Sequence, residues 1–139
     1  MGRVIALDVG TKTIGVAVTD PLRMFAQPVV TLKRAGLKQD VPALVRLCAD
    51  YDPDCVVVGL PFELDGSEGR SARLARQIGD ALAEATNMTI HYQDERYTSV
   101  QAERSLIAMD VSRAKRKRII DQAAAVVILE SWLREQASV

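Results

Sequence analysis

Histidine is nearly absent from this sequence: a chain of 139 residues carries one, His91. No Ser-His-Asp or Cys-His arrangement can be built without it, and in the middle of a β-rich run it reads as a structural residue. Cysteine is almost as scarce. Cys48 and Cys55 have neither CxxC spacing nor a second pair, so they read as reduced core thiols of a cytosolic protein. Aromatic residues make up 4% of the chain, too few for a base-stacking platform even with Tyr92 and Tyr97 present. No apolar run approaches the roughly 20 residues of a membrane span, so no membrane association is expected. The N-terminus "MGRVIALD" enters a strand at once, which predicts no signal peptide. Ala6 stands where a myristoylation pattern needs Ser or Thr. The expected location is cytoplasmic.

Hydrophobic residues at 48% and charged residues at 26% are ordinary for a globular protein, and the length suits a single domain over residues 1–139. Net charge is zero, but it is unevenly spread. "SRAKRKR" holds Arg113, Lys115, Arg116, Lys117 and Arg118; setting these five aside leaves 13 of the 18 basic residues against 18 acidic ones. A mildly acidic body thus carries one concentrated basic segment, of the kind that phosphate backbones attract. A solvated helix start is the plainer reading of the same residues.

The apolar pattern predicts strands at Val4–Asp8 and Ile14–Thr19, joined by the short turn "VGTKT" with Gly10 free to take positive φ. "QPVVTLKR" (Gln27–Arg34) reads as a third strand, where Pro28 suits an edge. Lys38–Tyr51 and Arg70–Thr86 carry helical spacing. "CVVVGLP" reads as a strand buried on both faces. "MTIHYQDE" is a further strand, Thr98–Met109 a helix and Lys117–Ala137 a long last helix. Hairpin strands followed by alternating helices and strands indicate a mixed α/β sheet with helices on both faces. No internal repeat, low-complexity tract or linker divides the chain.

Three acids stand out. Asp8 ends the first strand, and Glu95 ends the last in "HYQDERYTS". Asp121 lies in "RIIDQAAAVVILESWL", beside a stripe of Ile120, Ala124, Val127 and Ile128, where Ala123–Ala125 leave room for close packing on the sheet. An ionised Asp there is costly unless paired, hydrogen-bonded or metal-bound; a helix-dipole acid in the first turn is the competing account. Three carboxylates converging at one sheet rim would be hard oxygen ligands suited to Mg2+ or Mn2+. Two such ions about 4 Å apart support in-line phosphodiester cleavage.

"IALDVGTKTIGVAVTD", "VVVGLPFELDGSEG", "DERYTSVQAE" and "IIDQAAAVVILESWL" together resemble the YqgF family, also called RuvX, of bacterial RNase H-like nucleases. The resemblance runs from the first strand to the last helix. It implies an RNase H-like five-stranded sheet of order 3-2-1-4-5 and a divalent-metal site with Asp8, Glu95 and Asp121 as catalytic acids. The family is described both as pre-16S rRNA nucleases acting at the 5′ end and as Holliday junction resolvases, by kinship with RuvC. In RuvC the middle acid ends the fourth strand, which here points to Glu63, although its loop favours a surface role and Glu95 ranks above it. Around the acids, the Gly10–Lys12 backbone with Thr11 and Lys12 is expected to hold a phosphate. Arg96, Thr98 and Ser99 are expected to do likewise, with Thr98 or Ser99 alternatively capping a helix. Arg70 is carried by the "DGSEGR" loop, a candidate flap, and Lys115, Arg116 and Lys117 are expected on the substrate backbone.

Rival readings remain. "DVGTKTIG" also resembles the phosphate-binding hairpin of actin-like and sugar-kinase ATPases, which close two such domains around ATP. A non-catalytic nucleic-acid-binding factor is the other, against which stands the cost of clustered acids facing phosphates. The partner expected is pre-rRNA or branched DNA. Resolution of a junction needs two sites, and no exposed apolar stripe announces a dimer, so the chain is expected to be a monomer or weak homodimer and RNA is the favoured substrate.

Overall fold

Alternation along the first strand assigns every side chain to one of two faces. A computed structural model describes residues 2–62, 65–94 and 113–137, with residues 113–122 as backbone alone. The elements are β1 (Val4–Val9), β2 (Thr13–Thr19), β3 (Ala26–Lys33), α1 (Leu37–Tyr51), β4 (Cys55–Leu60), α2 (Arg70–Thr86), β5 (Thr89–Asp94) and α3 (Arg113–Ala137). Ile5, Leu7 and Val9 of β1 join Ile14, Val16 and Val18 of β2 beneath α1 and α2, which supply Leu44, Cys48, Ala72, Ala75, Ile78 and Leu82. Val4 and Ala6 point the other way, to Ala125, Ile128, Leu129 and Trp132 of α3. Each Leu or Ile so buried contributes about 1.5–3 kcal/mol.

The strand order is β3-β2-β1-β4-β5. β1 and β2 are antiparallel, as are β2 and β3, while β1, β4 and β5 run parallel. Pro28 sits on the edge strand β3, opposite Ala17 next to a bulge, where its missing N–H costs no ladder bond. α1 carries the chain from β3 to β4 and α2 carries it from β4 to β5, the crossovers that parallel strands require. Both helices end on a left-handed residue, Asp52 and Asn87 respectively.

One expectation is corrected, and one feature was not anticipated. The last helix begins at Arg113 rather than Lys117, so the basic segment lies within its first turns and position 121 lies about two turns inside. That depth removes the first-turn dipole account of Asp121. The β2–β3 turn exposes Leu22, Met24 and Phe25 at 68%, 67% and 75%, an apolar cluster that no periodic pattern announces. The helix expected over Thr98–Met109 lies outside the described residues. Among those described, no helix is long and apolar enough to cross a membrane.

Candidate active site

Open α/β sheets bind their ligands at the carboxyl ends of the parallel strands, and β1, β4 and β5 finish at one rim. Asp8 is the penultimate residue of β1, half-buried, opposite Gly15 of β2. It alternates with Val4 and Ala6, so it faces α3. Leu7 pairs with Val58, and Gly59 with Gln93. Asp8 and Gln93 therefore share a rung two strand spacings apart, about 10 Å. Gln93 is buried, and its side-chain amide donates to Glu135 Oε1 in α3 at 2.8 Å. That bond puts position 93 on the α3 face with Asp8. Glu95 comes next but one in the chain and lies outside the described residues.

The far end of α3 lies against two parts of the sheet. Glu130, Leu133, Arg134 and Ala137 share a groove of about 380 Å³ with Arg23–Ala26. Arg23 in turn donates to the Gly2 carbonyl at 2.7 Å and to Asp54 at 3.0 Å, at the end of the sheet where β1 begins. Glu135, in the same last turns, reaches Gln93 on the Asp8 rung, so this end of α3 spans from the β2–β3 turn to β5. Position 121 is about 16 Å along the helix from Trp132, toward its N-terminus. It precedes buried Ala125, Ile128 and Trp132 by one, two and three turns, so its backbone lies on the sheet-facing stripe. Val127, expected in that stripe, is only half-buried, and Ala125 and Leu129 fill it instead. The groove beside Arg23 holds a single acid, Glu130, and strand ends rather than concavity locate the site.

Asp8 is the one expected acid whose side chain is described. The Asp121 side chain, Glu63, Arg96 and Thr98 lie outside the described residues, as do the side chains of Lys115, Arg116 and Lys117. Among the described residues no cluster of three His, Cys, Asp or Glu is gathered to hold a cation. Arg70 stands exposed at the first position of α2, on the rim side of β4. The loop before it is folded on itself: Asp65 Oδ1 accepts from the Ser67 N–H and hydroxyl at 2.9 and 2.7 Å, with Gly66 at φ 89°.

At the β1–β2 turn Thr11 and Lys12 are exposed. Gly10 is not, and its expected roles change. Its φ is not positive; glycine is favoured instead by a tight approach, since an added Cβ would stand 3.3 Å from the Thr13 carbonyl oxygen. Its N–H is spent within the turn, donating to that carbonyl at 2.8 Å. Phosphate would have to be met by Thr11 and Lys12.

The sequence reading missed what lies behind this turn. The Arg34 N–H donates to the Lys12 carbonyl at 2.8 Å, and Arg34 Nη1 donates to the Gly10 carbonyl at 2.9 Å. Arg34 Nε meets Asp40 Oδ2 at 2.7 Å, and the Ala35 N–H donates to Asp40 Oδ1 at 3.0 Å. Burial pushes the Asp40 carboxyl up, but the Arg34 hydrogen bond, the Ala35 N–H and the guanidinium charge outweigh it and hold the pKa below the ordinary aspartate value. In the sequence Asp40 resembles any acid in a first helical turn, and no spacing rule links it to Arg34. A second network joins α2 to β5: Tyr92 Oη donates to Asp80 Oδ1 at 2.6 Å, while Arg76 lies 5.0 Å from the Tyr92 ring centroid and pairs with Glu68. His91 packs on Trp132 with ring centroids 5.3 Å apart, consistent with its structural reading.

Comparison with known proteins gives concordant results. A family model described as RuvX, Holliday junction resolvase, matches residues 2–135. A protein of Myxococcus xanthus named "Putative pre-16S rRNA nuclease" is 47% identical over 131 residues, 94% of this chain and 87% of its own. The fold is shared with the fowlpox virus Holliday junction resolvase, at a TM-score of 0.59 and 12% identity over 96% of this chain and 99% of that one. It is shared too with T. thermophilus RuvC in complex with Holliday junction substrate, at a TM-score of 0.55 and 16% identity over 91% and 90%.

Proposed function

Since the chain belongs to the RuvX family and has an RNase H-like sheet, we propose that it is a metal-dependent nuclease that processes the 5′ end of pre-16S rRNA. The observation that carries this reading is the placement of Asp8: a half-buried carboxylate at the carboxyl end of β1, on the face that α3 covers. Asp8, Glu95 and Asp121 would hold Mg2+ or Mn2+, since carboxylates are the hard oxygen donors these ions take. Asp8 fits that role, being short, anchored in the sheet and open to solvent on one side. Bound there, the ions would supply an activated water and charge stabilisation for the leaving oxygen.

The remaining groups bind and orient. Thr11 and Lys12 receive a phosphate beside Asp8, offsetting the repulsion that an acidic rim offers a polyanion. Arg70 stands at the start of α2 on the same rim, and Arg96 and Thr98 are taken to bind substrate with it. The Arg113–Arg118 segment, in the first turns of α3, engages the nucleic-acid backbone through charge and not sequence. The name of the Myxococcus relative supports RNA as the substrate. The family model's description supports a second reading, resolution of branched DNA, which uses the same metal chemistry.

Purified protein with Mg2+ or Mn2+ should cleave a precursor carrying the 16S 5′ leader faster than a four-way DNA junction. The reverse preference selects the resolvase reading; binding to either without cleavage selects a non-catalytic factor. Asp8→Asn and Glu95→Gln should each lose about a hundredfold or more, the scale of one preorganised electrostatic group, while Glu63→Gln retains most activity. A dead Glu63→Gln beside an active Glu95→Gln would move the middle ligand to the fourth strand.

A further inference from the structure

The turn that presents Thr11 and Lys12 is gripped from behind by a single residue. Arg34 takes hold of it twice, its backbone N–H on the Lys12 carbonyl at 2.8 Å and its Nη1 on the Gly10 carbonyl at 2.9 Å. Both ends of the three-residue turn are thereby fixed, and Gly10 is only two residues from Asp8. Arg34 is itself fixed. Asp40 Oδ2 accepts from Nε at 2.7 Å, and its other oxygen accepts from the Ala35 N–H at 3.0 Å. The pair is enclosed, with side chains 13% and 6% exposed, and Asp40 is seated in the first turn of α1 by its own N–H on the Gly36 carbonyl at 2.8 Å.

We infer that Arg34 and Asp40 form a clamp that sets the geometry of the β1–β2 turn for cleavage, a positioning role that rests on the nuclease reading above. Arg34 is not a phosphate ligand: two of its nitrogens are committed inside the protein and its charge is met by Asp40. The guanidinium is required for its shape, because only a planar fork reaches the Asp40 carboxylate and the Gly10 carbonyl together. Asp40 acts one step further back, holding the fork in plane. The two residues therefore act in series.

The test compares the full-length wild type with Arg34→Lys, Arg34→Gln, Asp40→Asn and the Arg34→Gln/Asp40→Asn double variant. One arm measures amide hydrogen exchange of Gly10 and Arg34, whose N–H groups report the turn. The other separates kcat from KM on the leader RNA with Mg2+. Exchange at both amides should quicken in every variant, and kcat should fall about a hundredfold, the scale of a misplaced reacting group, with KM within about twofold. Arg34→Lys keeps the charge and most of the stem, so it folds even where Asp40→Asn does not, and it should be as slow as Arg34→Gln. The double variant should be no slower than Arg34→Gln alone. Full activity of Arg34→Lys, a loss confined to KM, or unchanged exchange would overturn the clamp. A wild type that cleaves no nucleic acid would overturn the nuclease reading and the clamp's catalytic role together, while the exchange arm still reports whether the turn is held.

Discussion

Gly79→Ala tests how closely α2 is seated on β5. Inside a helix, alanine ordinarily gains about 1 kcal/mol over glycine. At this position a methyl group would meet Tyr92, whose Cε1 and Cζ both lie 2.9 Å from an added Cβ, with the hydroxyl nearer still. The ring would have to shift, and it is held by the 2.6 Å hydrogen bond to Asp80 and by the Arg76 guanidinium above it. Overpacking of this kind costs about 1–3 kcal/mol, and loosening the hydrogen bond about 1 kcal/mol more. Set against the helical gain, the net is a loss of about 2 kcal/mol, or several degrees in Tm for a domain of this size. Thermal and urea unfolding would measure it. A second background settles the cause: with Tyr92→Val the obstruction is gone, and Gly79→Ala should then stabilise by about 1 kcal/mol. A variant as stable as wild type, or an equal effect in both backgrounds, would refute the close approach.

Replacing Lys115, Arg116 and Lys117 by Gln should flatten the dependence of RNA affinity on salt by up to about three units of slope, read from log K against log salt; an unchanged slope would make the segment a solvated helix start. Thr31 Oγ1 is buried without a partner among the described residues, so Thr31→Val, which keeps the shape and removes the hydroxyl, should raise stability by about 1 kcal/mol in urea unfolding. Asp40, with its folded pKa below the ordinary aspartate value of 3.8, contributes stability that is complete above that value and is lost as pH falls through the folded pKa. The Tm advantage of wild type over Asp40→Asn should therefore be constant at neutral pH and shrink below about pH 4; an advantage that grows on acidification would reverse the sign.

Much of the fold was legible because its strands are punctuated. The run at Cys55–Leu60 ends at Pro61, and Arg70–Thr86 has the bounds its apolar spacing predicts. The start of α3 was not legible. Lys and Arg are good helix formers, but a stretch of them carries no apolar period, so the visible signal began only near Ile119. Gly10 was identified as a turn glycine for the wrong reason: sequence shows where glycine stands, not whether φ or a neighbouring oxygen demands it. The Arg34–Asp40 pair and its hold on Gly10 were hidden because the contact is made by tertiary approach of α1 to the turn. The position of Asp8 at the end of β1 was legible because the apolar run of the strand closes on it.

The two faces of the sheet differ in a way that bears on the acids. Beneath α1 and α2 the packing uses Ile5, Leu7, Ile14, Leu44, Ile78 and Leu82, side chains that hold a helix axis well away from the strands. On the α3 face the buried set includes Ala6, Ala17, Ala124 and Ala125, and Gly15 stands beside Asp8 on its rung. Val4, Val57, Ile128, Leu129 and Trp132 are buried there as well, so the small residues leave room for close approach only at particular positions. Aspartate is short, so two aspartates can share a cation only if their backbones come near one another. The same carboxylates on the α1–α2 face would be separated by a layer of leucine and isoleucine. The placement of Asp8 on the face with these small residues is therefore what a site shared with Asp121 would need.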